Sequence, residues 1–287
     1  MNAYTRPLAI IGADSLLAEA ICERALALGW PLEMVRPLGR EDQVGEWVEF
    51  GDQSLEIGDL DKFDFHECVA CIVASRDEAA IAAAQTAGCP VIGENVDGAA
   101  TAVVTALANL HQTAGIVEIR ATLLRASANF GRAGVEELAQ QTQALFNQHT
   151  IQRYIFPKRL AFNVLPAIRP DTASHFADSI KAGLDSNFLI LATEATVPVF
   201  YGDLIQLDIS LAATVSAEQI QTALQTAATL LTDEQASPMD VAGQDDILVS
   251  GLRSPAPGRI SLWLAFDGTR QAATAIFAEL AHALADA

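Results

Sequence analysis

The chain has 287 residues, of which 51% are hydrophobic, so it is long enough for about two domains with sizeable cores. Its formal net charge is −19, from 36 acidic and 17 basic residues, and such a surface repels nucleic-acid phosphates and anionic lipid headgroups. We therefore expect no nucleic-acid or membrane partner, and no apolar run reaches the roughly 18 residues that a membrane span needs.

The cysteines and histidines favour a reduced protein without a metal. Four cysteines lie in the first third of the chain, and the first residues show no secretory pattern, so we expect a cytoplasmic protein with free thiols. Cys68 and Cys71 have CxxC spacing, but they lie in a predicted strand, which favours a buried structural pair over a redox couple. The five histidines show no metal-ligand spacing, and no metal site is predicted.

Strands and helices alternate with short connections in the N-terminal part, which predicts a parallel sheet covered on both faces. The predicted elements are strands at 8–12, 33–38, 68–74 and 89–92, a hairpin at 47–57, helices at 16–28 and 77–87, and a loop leading into a helix over 93–110.

The remaining chain mixes strands and helices as a mostly antiparallel α+β domain does. Extended segments are predicted at 117–126, 161–168, 197–200, 204–212, 246–252 and 260–266, a turn at 127–134, and helices at 135–146, 176–182, 217–231 and 269–285.

The turn after the first strand is typical of a dinucleotide-binding unit, in which glycines let the backbone approach a pyrophosphate. Gly12 is present, whereas Ser15 and Ala18 stand where two further glycines are expected. The hydroxymethyl group of Ser15 adds bulk on the expected phosphate path. Arg40, which follows the second strand, could pair with a ribose 2′-phosphate, although its two acidic neighbours favour a solvated charged turn.

The loop at 93–98 leads into an apolar helix, and a helix N-terminus suits an anion or a nucleophilic cysteine. This loop carries Asn95, Val96, Asp97 and Gly98, and it contains no Cys, Ser or Lys. The sequence therefore predicts that a position suited to a reactive side chain is without one.

Seven stretches occur in order along the chain: IIGADSLLAEAI, GDLDKFDF, ANFGRAGVEEL, AFNVLPAI, VPVFYGDLIQLDIS, GLR and ISLWLAFDGTRQAA. Together they resemble the aspartate-semialdehyde dehydrogenase family, and more narrowly its shortened homologues, the USG-1 proteins. The resemblance implies an α/β Rossmann-like N-terminal domain at residues 1–117 with 268–287. It also implies an α+β semialdehyde dehydrogenase dimerisation domain at 118–267, and hence a homodimer.

Enzymes of that family reduce aspartyl phosphate to aspartate semialdehyde with NADPH. A Cys thiolate attacks the acyl carbon, a His acts as acid and base, and Arg residues hold the substrate carboxylate and phosphate. The resemblance implies NADP as the cofactor, weakly bound or lost here, with these candidate binding residues: Gly12, Ser15, Leu16, Arg40, Ser75 and Gly131.

The resemblance also implies that the reactive positions have changed. The family's nucleophilic Cys aligns with Gly98, its active-site Gln with Arg125, and its catalytic His with Asp203. The substrate-binding Arg aligns with Thr196, and the Arg on the adenosine side aligns with Asp42. We therefore expect no family catalytic residue in this chain.

Three functions remain open on the sequence alone. The first is a catalytically silent homologue that keeps the dimeric scaffold and binds a protein partner or a small ligand that the sequence does not identify. The second is an NAD(P)-dependent oxidoreductase of changed chemistry, for which Arg125 and Asp203 facing one cleft would be the functional groups. The third is a weak semialdehyde dehydrogenase, in which Cys89 would have to act from the amino edge of the sheet, away from the expected chemistry.

Overall fold

The computed structural model describes residues 6–168, 171–226, 228–232 and 234–285. The described chain forms two compact units. One comprises the residues up to Val96 together with those from Ala272 onward, and the other is Asp97–Gln271. The domain boundaries predicted at residues 117 and 268 stay a prediction, because a compact unit is not by itself an independently folding domain.

The first unit is built on a parallel sheet of five strands, in the order β5-β2-β1-β6-β7, with a separate antiparallel hairpin of β3 and β4. The elements are β1 (Leu8–Ile11), α1 (Leu16–Ala27), β2 (Val35–Gly39), β3 (Trp47–Phe50), β4 (Gln53–Glu56), β5 (Gly58–Asp59), β6 (Ala70–Val73), α2 (Glu78–Thr86) and β7 (Val91–Ile92).

Alternate residues of the central strand β1 face opposite cores, as the period of two in a strand requires. Leu8 and Ile10 pack in the core that contains α1, whereas Ala9 and Ile11 pack in the core that contains α2. All four side chains are buried. The prediction of a parallel sheet covered on both faces is confirmed.

The second unit is built on a seven-stranded mixed sheet, in the order β12-β13-β14-β11-β8-β10-β9. The elements are α3 (Gly98–Ala114), β8 (Ile116–Arg125), α4 (Gly131–Phe146), β9 (Leu165–Pro166), α5 (Thr172–Gly183), β10 (Leu189–Thr196), β11 (Asp203–Leu211), α6 (Ala217–Leu224), β12 (Thr229–Leu231), α7 (Pro238–Val241), β13 (Ile247–Ala256) and β14 (Arg259–Phe266). The closing helix is α8 (Gly268–Ala285).

Only the pairs β8 with β10 and β12 with β13 are parallel among the described strands of this sheet. One face packs against α3, α5 and α6 and carries the largest core of the chain. The other face exposes alternate residues of the central strands, among them Arg120, Leu189 and Leu191. The sheet therefore has one covered and one exposed face.

Helix α8 begins in the second unit and ends in the first. Its residues from Ala273 onward complete the core of the first unit, where Ile276, Phe277 and Leu280 are buried with residues of β1 and β6. The first unit is therefore made from both ends of the chain.

Two predicted strands are wrong in whole or in part, and strand β10 is missed. Residues 189–196 form β10, for which the sequence analysis predicts nothing, whereas 197–200 form no strand. The carbonyls of Val199 and Phe200 accept hydrogen bonds from the backbone N–H groups of Ser127 and Ala128, so they support a turn. Of the strand predicted at 161–168, only Leu165–Pro166 is observed as a strand. The N–H group of Ala161 is instead bound by the side chain of Gln141.

Several helices differ from their predicted bounds, among them α5, which begins at Thr172 and not at residue 176. The helix predicted at 217–231 ends at Leu224, and residues 229–231 instead pair with β13 as an edge strand. Helix α4 begins at Gly131, four residues before the predicted start.

Candidate functional site

Three of the sequence-predicted site positions meet at one edge of the sheet in the second unit. Arg125 is the last residue of β8, and its register partner in the parallel strand β10 is Thr196. Asp203 is the first residue of β11, which runs antiparallel to β8 and therefore begins where β8 ends. All three residues are buried.

Arg125 lies at the centre of a buried ion cluster. Its Nε is 3.4 Å from Oε2 of Glu194, and its Nη1 is 3.5 Å from Oδ2 of Asp203. Its Nη2 is 3.7 Å from Oδ2 of Asp97. One guanidinium therefore faces three carboxylates, and this arrangement of one positive and three negative charges is what we call the Arg125 cluster.

The carboxylate of Asp203 is held by donors on one side and by Arg125 on the other. Its Oδ1 accepts hydrogen bonds of 2.8 Å from the backbone N–H of Ala126 and from the side-chain amide of Asn129. Burial raises the pKa of Asp203 above its ordinary value, although Arg125 and these two donors favour the ionised form. Asp203 therefore serves as a hydrogen-bonded anchor for the turn after β8.

Asp97 joins the cluster to the start of a helix. It is the N-cap of α3, and its Oδ1 accepts from the N–H groups of Ala99 and Ala100 at 2.8 and 3.1 Å. Its Oδ2 faces Arg125 and lies 3.6 Å from Nδ1 of the half-exposed His175. Gly98, the first residue of α3, places no side chain beside these groups.

The three carboxylates of the cluster keep Arg125 in its charged form. Burial alone would lower the pKa of Arg125, but the charges of Asp203, Asp97 and Glu194 raise it above its ordinary value. The guanidinium thus stays ionised and has its charge matched from within the protein. The hydroxyl of Thr196, buried on the same strand face as Glu194, finds no hydrogen-bond partner among the described residues.

Sequence analysis identified Arg125 and Asp203, but it did not assign Asp97, Glu194, Asn129 or His175 to a site. Asp97 carries a local signal, because an Asp before a helical pattern predicts an N-cap. Glu194 carries a weaker one as the lone acid of the apolar stretch LILATEAT. Asn129 and His175 carry none that we can name.

The predicted cofactor residues of the first unit also meet at strand ends. Gly12 follows β1 with a φ of +84°, and a Cβ at this position would lie 2.3 Å from Cβ of Ser75, which follows β6. Ser15 caps α1 by accepting from the N–H of Ala18, and its hydroxyl donates to the carbonyl of Gly12 at 2.8 Å. Leu16 is the first residue of α1.

Arg40, just after β2, is held by two carboxylates of the same unit. Its guanidinium pairs with Asp77, the N-cap of α2, and with the exposed Asp61. The first bond is 2.9 Å from Nε to Oδ2 of Asp77. Asp42 lies in an exposed turn next to Arg40, and Gly131 begins α4 in the second unit with a φ of +72°.

All four cysteines are free and buried in the first unit. The sulfur of Cys68 lies 2.6 Å from that of Cys89, 21 positions away in the sequence. The hydrogen bond with Cys89, followed by burial, raises the pKa of Cys68, and burial raises those of Cys22 and Cys71 to about 12. None of these three thiols has the lowered pKa that activates a nucleophile.

The described residues lack two features that bear on function. They contain no helix that is both long and apolar enough to cross a membrane. They also contain no group of three or more His, Cys, Asp or Glu side chains arranged to hold a metal ion.

The family model for the semialdehyde dehydrogenase dimerisation domain matches residues 107–271, which is more than half of the chain. The chain belongs to the semialdehyde dehydrogenase family. This member shares the expected architecture of a Rossmann-like N-terminal domain and a semialdehyde dehydrogenase dimerisation domain.

Relatives of this semialdehyde dehydrogenase family member match it over almost its full length. The aspartate-semialdehyde dehydrogenase of Rickettsia bellii is 23% identical over 96% of this chain and 97% of its own. A USG-1 protein homolog of Pseudomonas aeruginosa is 25% identical over 92% of this chain and 93% of its own.

Two solved structures show the same fold. Aspartate semialdehyde dehydrogenase II of Vibrio cholerae, complexed with ASA, superposes with a TM-score of 0.88 at 22% identity, covering 96% of this chain and 98% of its own. The aspartate semialdehyde dehydrogenase of Francisella tularensis superposes with a TM-score of 0.76 at 14% identity, covering 98% of this chain and all of its own.

Proposed function

We propose that this family member does not catalyse the aspartate-semialdehyde reaction, and that it serves as a homodimeric scaffold that binds a protein partner or a small ligand. The observation that carries this proposal is the Arg125 cluster, in which the guanidinium of Arg125 is faced by three carboxylates of the protein itself. A working site for an anionic substrate needs donors that are still available to that substrate.

The start of α3 supports the loss of covalent chemistry. Gly98 occupies the position that the family resemblance assigns to the nucleophile, and it has no side chain. The N–H groups of Ala99 and Ala100, which would stabilise a thiolate or an oxyanion there, are bound by the carboxylate of Asp97. Loss of a covalent nucleophile typically removes about six orders of magnitude of rate.

The charge of the cluster opposes the family substrate. An acyl phosphate with a free carboxylate is an anion, and it would meet three buried carboxylates around a single arginine. Each unmatched negative charge in a site of low dielectric repels a second anion more strongly than it would in water. The substrate-binding Arg of the family resemblance is also replaced, by the uncharged Thr196.

The first unit matches NADP poorly. Arg40, the residue placed to bind a 2′-phosphate, is paired with Asp61 and Asp77. The hydroxyl of Ser15 lies against the turn at Gly12, where the backbone of a dinucleotide site would approach the pyrophosphate. We therefore propose that NADP binding is weak or lost.

The exposed face of the seven-stranded sheet supports the homodimer. Leu189 and Leu191 of β10 are 54% and 47% exposed on the face opposite the helices. Exposed apolar side chains on an open sheet face gain free energy when the face stacks on a second sheet. We propose that two copies associate through this face about a two-fold axis.

One observation favours a second function, an NAD(P)-linked oxidoreductase of changed chemistry. A buried arginine beside a carboxyl group of raised pKa is a pair that enzymes use to position and protonate substrates. The internal hydrogen bonds of Asp203 and the pairing of Arg40 weigh against this alternative.

Titration calorimetry and an activity assay test the proposal together. We expect no heat of binding with NADP or NAD at micromolar concentrations, and no phosphate-dependent oxidation of aspartate semialdehyde. Micromolar cofactor binding without that oxidation would replace the silent scaffold by the oxidoreductase of changed chemistry. Oxidation that is abolished in Cys89→Ala but kept in Cys22→Ala would establish a weak semialdehyde dehydrogenase instead.

A further inference from the structure

Two cysteines of the first unit lie at equivalent places before neighbouring parallel strands. Cys68 stands two residues before β6, and Cys89 stands two residues before β7. The register of these strands pairs Cys71 with Val91, so Cys89 lies level with residue 69, one position after Cys68. The topology therefore brings together two thiols that are 21 positions apart in the sequence.

The spacing of the two backbone segments fits a disulfide bond. Neighbouring strands lie about 4.8 Å apart and rise about 3.3 Å per residue, so an offset of one position places the two Cα atoms about 6 Å apart. A disulfide bridges Cα atoms that are about 4.4–6.8 Å apart. The sulfur atoms of Cys68 and Cys89 are in contact at 2.6 Å, so the two side chains already point at each other.

The CxxC spacing in the sequence suggests a different pair, which the backbone keeps apart. Cys68 has an extended backbone, with φ of −85° and ψ of 155°, and Cys71 lies within β6. Three extended residues span about 10 Å, which is beyond the roughly 7 Å over which two Cα atoms can be bridged. Cys22 lies in a separate core of the unit, on α1. The partner of Cys68 is therefore Cys89.

Both cysteines are held by the backbone around them. The N–H group and the thiol of Cys68 both donate to the carbonyl of Phe65, at 3.4 and 3.1 Å. The N–H group of Cys89 donates to the carbonyl of Ala84 in α2, at 3.0 Å. A bond between the two sulfur atoms therefore requires no rearrangement of the strands.

The pair lies just beneath the surface of the unit. Cys68 is 1% exposed and Cys89 is 6% exposed. Each of them follows an exposed residue, Glu67 and Gly88 respectively, and Pro90 after Cys89 is exposed as well. A small neutral oxidant therefore reaches Cys89, the more exposed cysteine, by passing a single layer of residues.

We propose that Cys68 and Cys89 form a reversible disulfide when the protein meets a hydroperoxide, with Cys89 as the attacking thiol and Cys68 as the resolving thiol. The bond encloses residues 69–88, which contain β6 and α2, and it ties the entry of β6 to the entry of β7. This oxidation site belongs to the first unit and does not depend on the proposed function.

The reaction balances in two steps. The sulfur of Cys89 attacks one oxygen of hydrogen peroxide and the O–O bond breaks. The leaving hydroxide takes the thiol proton and becomes water, and Cys89 is left as a sulfenic acid. The sulfur of Cys68 then attacks the sulfur of Cys89, the S–O bond breaks, and the proton of Cys68 leaves with the hydroxide as a second water. One peroxide is reduced to two waters while two thiols are oxidised to one disulfide.

The surroundings of Cys68 support this order of attack. The hydrogen bond with Cys89, followed by burial, raises the pKa of Cys68. A thiol that keeps its proton is a poor first nucleophile, because the thiolate is the attacking species. Cys68 therefore acts second, when a sulfenic acid is already in contact with it.

Intact mass spectrometry of the full chain tests the proposal. When the reduced wild type is exposed to millimolar hydrogen peroxide, it should lose two hydrogen atoms. The number of thiols that can be alkylated in denaturant should fall from four to two, and dithiothreitol should restore all four. Cys22→Ala and Cys71→Ala are the matched controls, and each should still lose two hydrogen atoms.

Variants of the pair separate the two roles. Cys68→Ala should form no disulfide and should keep a sulfenic acid at position 89, which dimedone traps as an adduct. Cys89→Ala should form neither the disulfide nor that adduct. Tandem mass spectrometry of linked peptides from the oxidised wild type locates the bond without any substitution, so the assignment does not depend on whether a variant folds.

Thermal unfolding reports the consequence of the bond. A disulfide constrains the unfolded chain, so the oxidised wild type should unfold at least about 5 °C above the reduced protein, and Cys89→Ala should show no such shift. A wild type that keeps four alkylatable thiols after peroxide treatment overturns the proposal. So does a linked peptide that joins Cys22 or Cys71 in place of Cys68 and Cys89.

Discussion

Two arginines of this chain both pair with carboxylates, but one is exposed to solvent and the other is buried. Arg40 of the first unit pairs with two aspartates, and its side chain is 42% exposed. Arg125 of the second unit faces three carboxylates, and its side chain is 7% exposed. Solvent screens the ion pairs of Arg40. Each buried charge around Arg125, in contrast, is compensated only by the other members of the cluster.

This difference decides how readily each arginine could bind an external anion. Solvent can replace the partners of Arg40, so a strong anionic ligand could still compete for it. The partners of Arg125 cannot be exchanged without leaving a buried carboxylate uncompensated. The buried cluster around Arg125 is therefore harder to open to an external anion than the exposed pairs of Arg40.

Arg125→Met should have the largest effect. Breaking a buried ion cluster typically costs about 3–5 kcal/mol, and we expect this loss in urea unfolding at pH 8. Removing the guanidinium should raise the pKa of Asp203 further above its ordinary value. A carboxyl group with a raised folded pKa contributes stability that is complete below the unfolded pKa of about 3.9 and is lost as the pH rises through the folded pKa.

The destabilisation by Arg125→Met should therefore diminish when unfolding is measured at pH 5. A loss that is the same at pH 5 and pH 8 would mean that packing, and not the charge cluster, explains the effect. Circular dichroism of the folded variant provides the control for gross misfolding.

Gly12→Ala should have the next largest effect and reports on the first unit. The φ of +84° disfavours a side chain, and the new methyl group would collide with Ser75. We expect a loss of about 1–3 kcal/mol in urea unfolding. Gly29→Ala is the matched control, because its φ is also positive but no atom lies within 4 Å of the added Cβ. Equal losses in the two variants would show that backbone strain alone matters.

Arg40→Met should have the smallest effect. Its ion pairs are exposed to solvent, so we expect no measurable change in the urea midpoint at 0.15 M NaCl. A loss as large as that of Arg125→Met would contradict the comparison between the two arginines.

The parallel sheet was predictable because its signals are local. Leu8–Ile11 is an apolar run that ends in a glycine turn and a capped helix, and each of these features is visible in a short window. Strand β10 was missed because Thr193 and Glu194 interrupt its apolar pattern, and only pairing with β8 fixes it as a strand. Residues 161–168 have the composition of a strand, but most of them do not form one, because Gln141 binds their first N–H group.

The candidate site was predictable in part. The family resemblance identified Arg125 and Asp203, and the structure brings both of them together at one sheet edge. Glu194 reaches Arg125, and Asn129 reaches Asp203, only through tertiary structure, since no spacing in the sequence relates these positions. The capping role of Asp97 was readable, but its second role as a partner of Arg125 was not.

Helix α8 has a consequence for the order of events on the ribosome. The core of the N-terminal unit includes Ile276, Phe277 and Leu280, which are synthesised after the whole of the second unit. All residues of the second unit precede them and can pack earlier. The unit whose synthesis begins first is therefore completed only after the second unit, and until residues 276–280 arrive it exposes an apolar surface that a chaperone can hold.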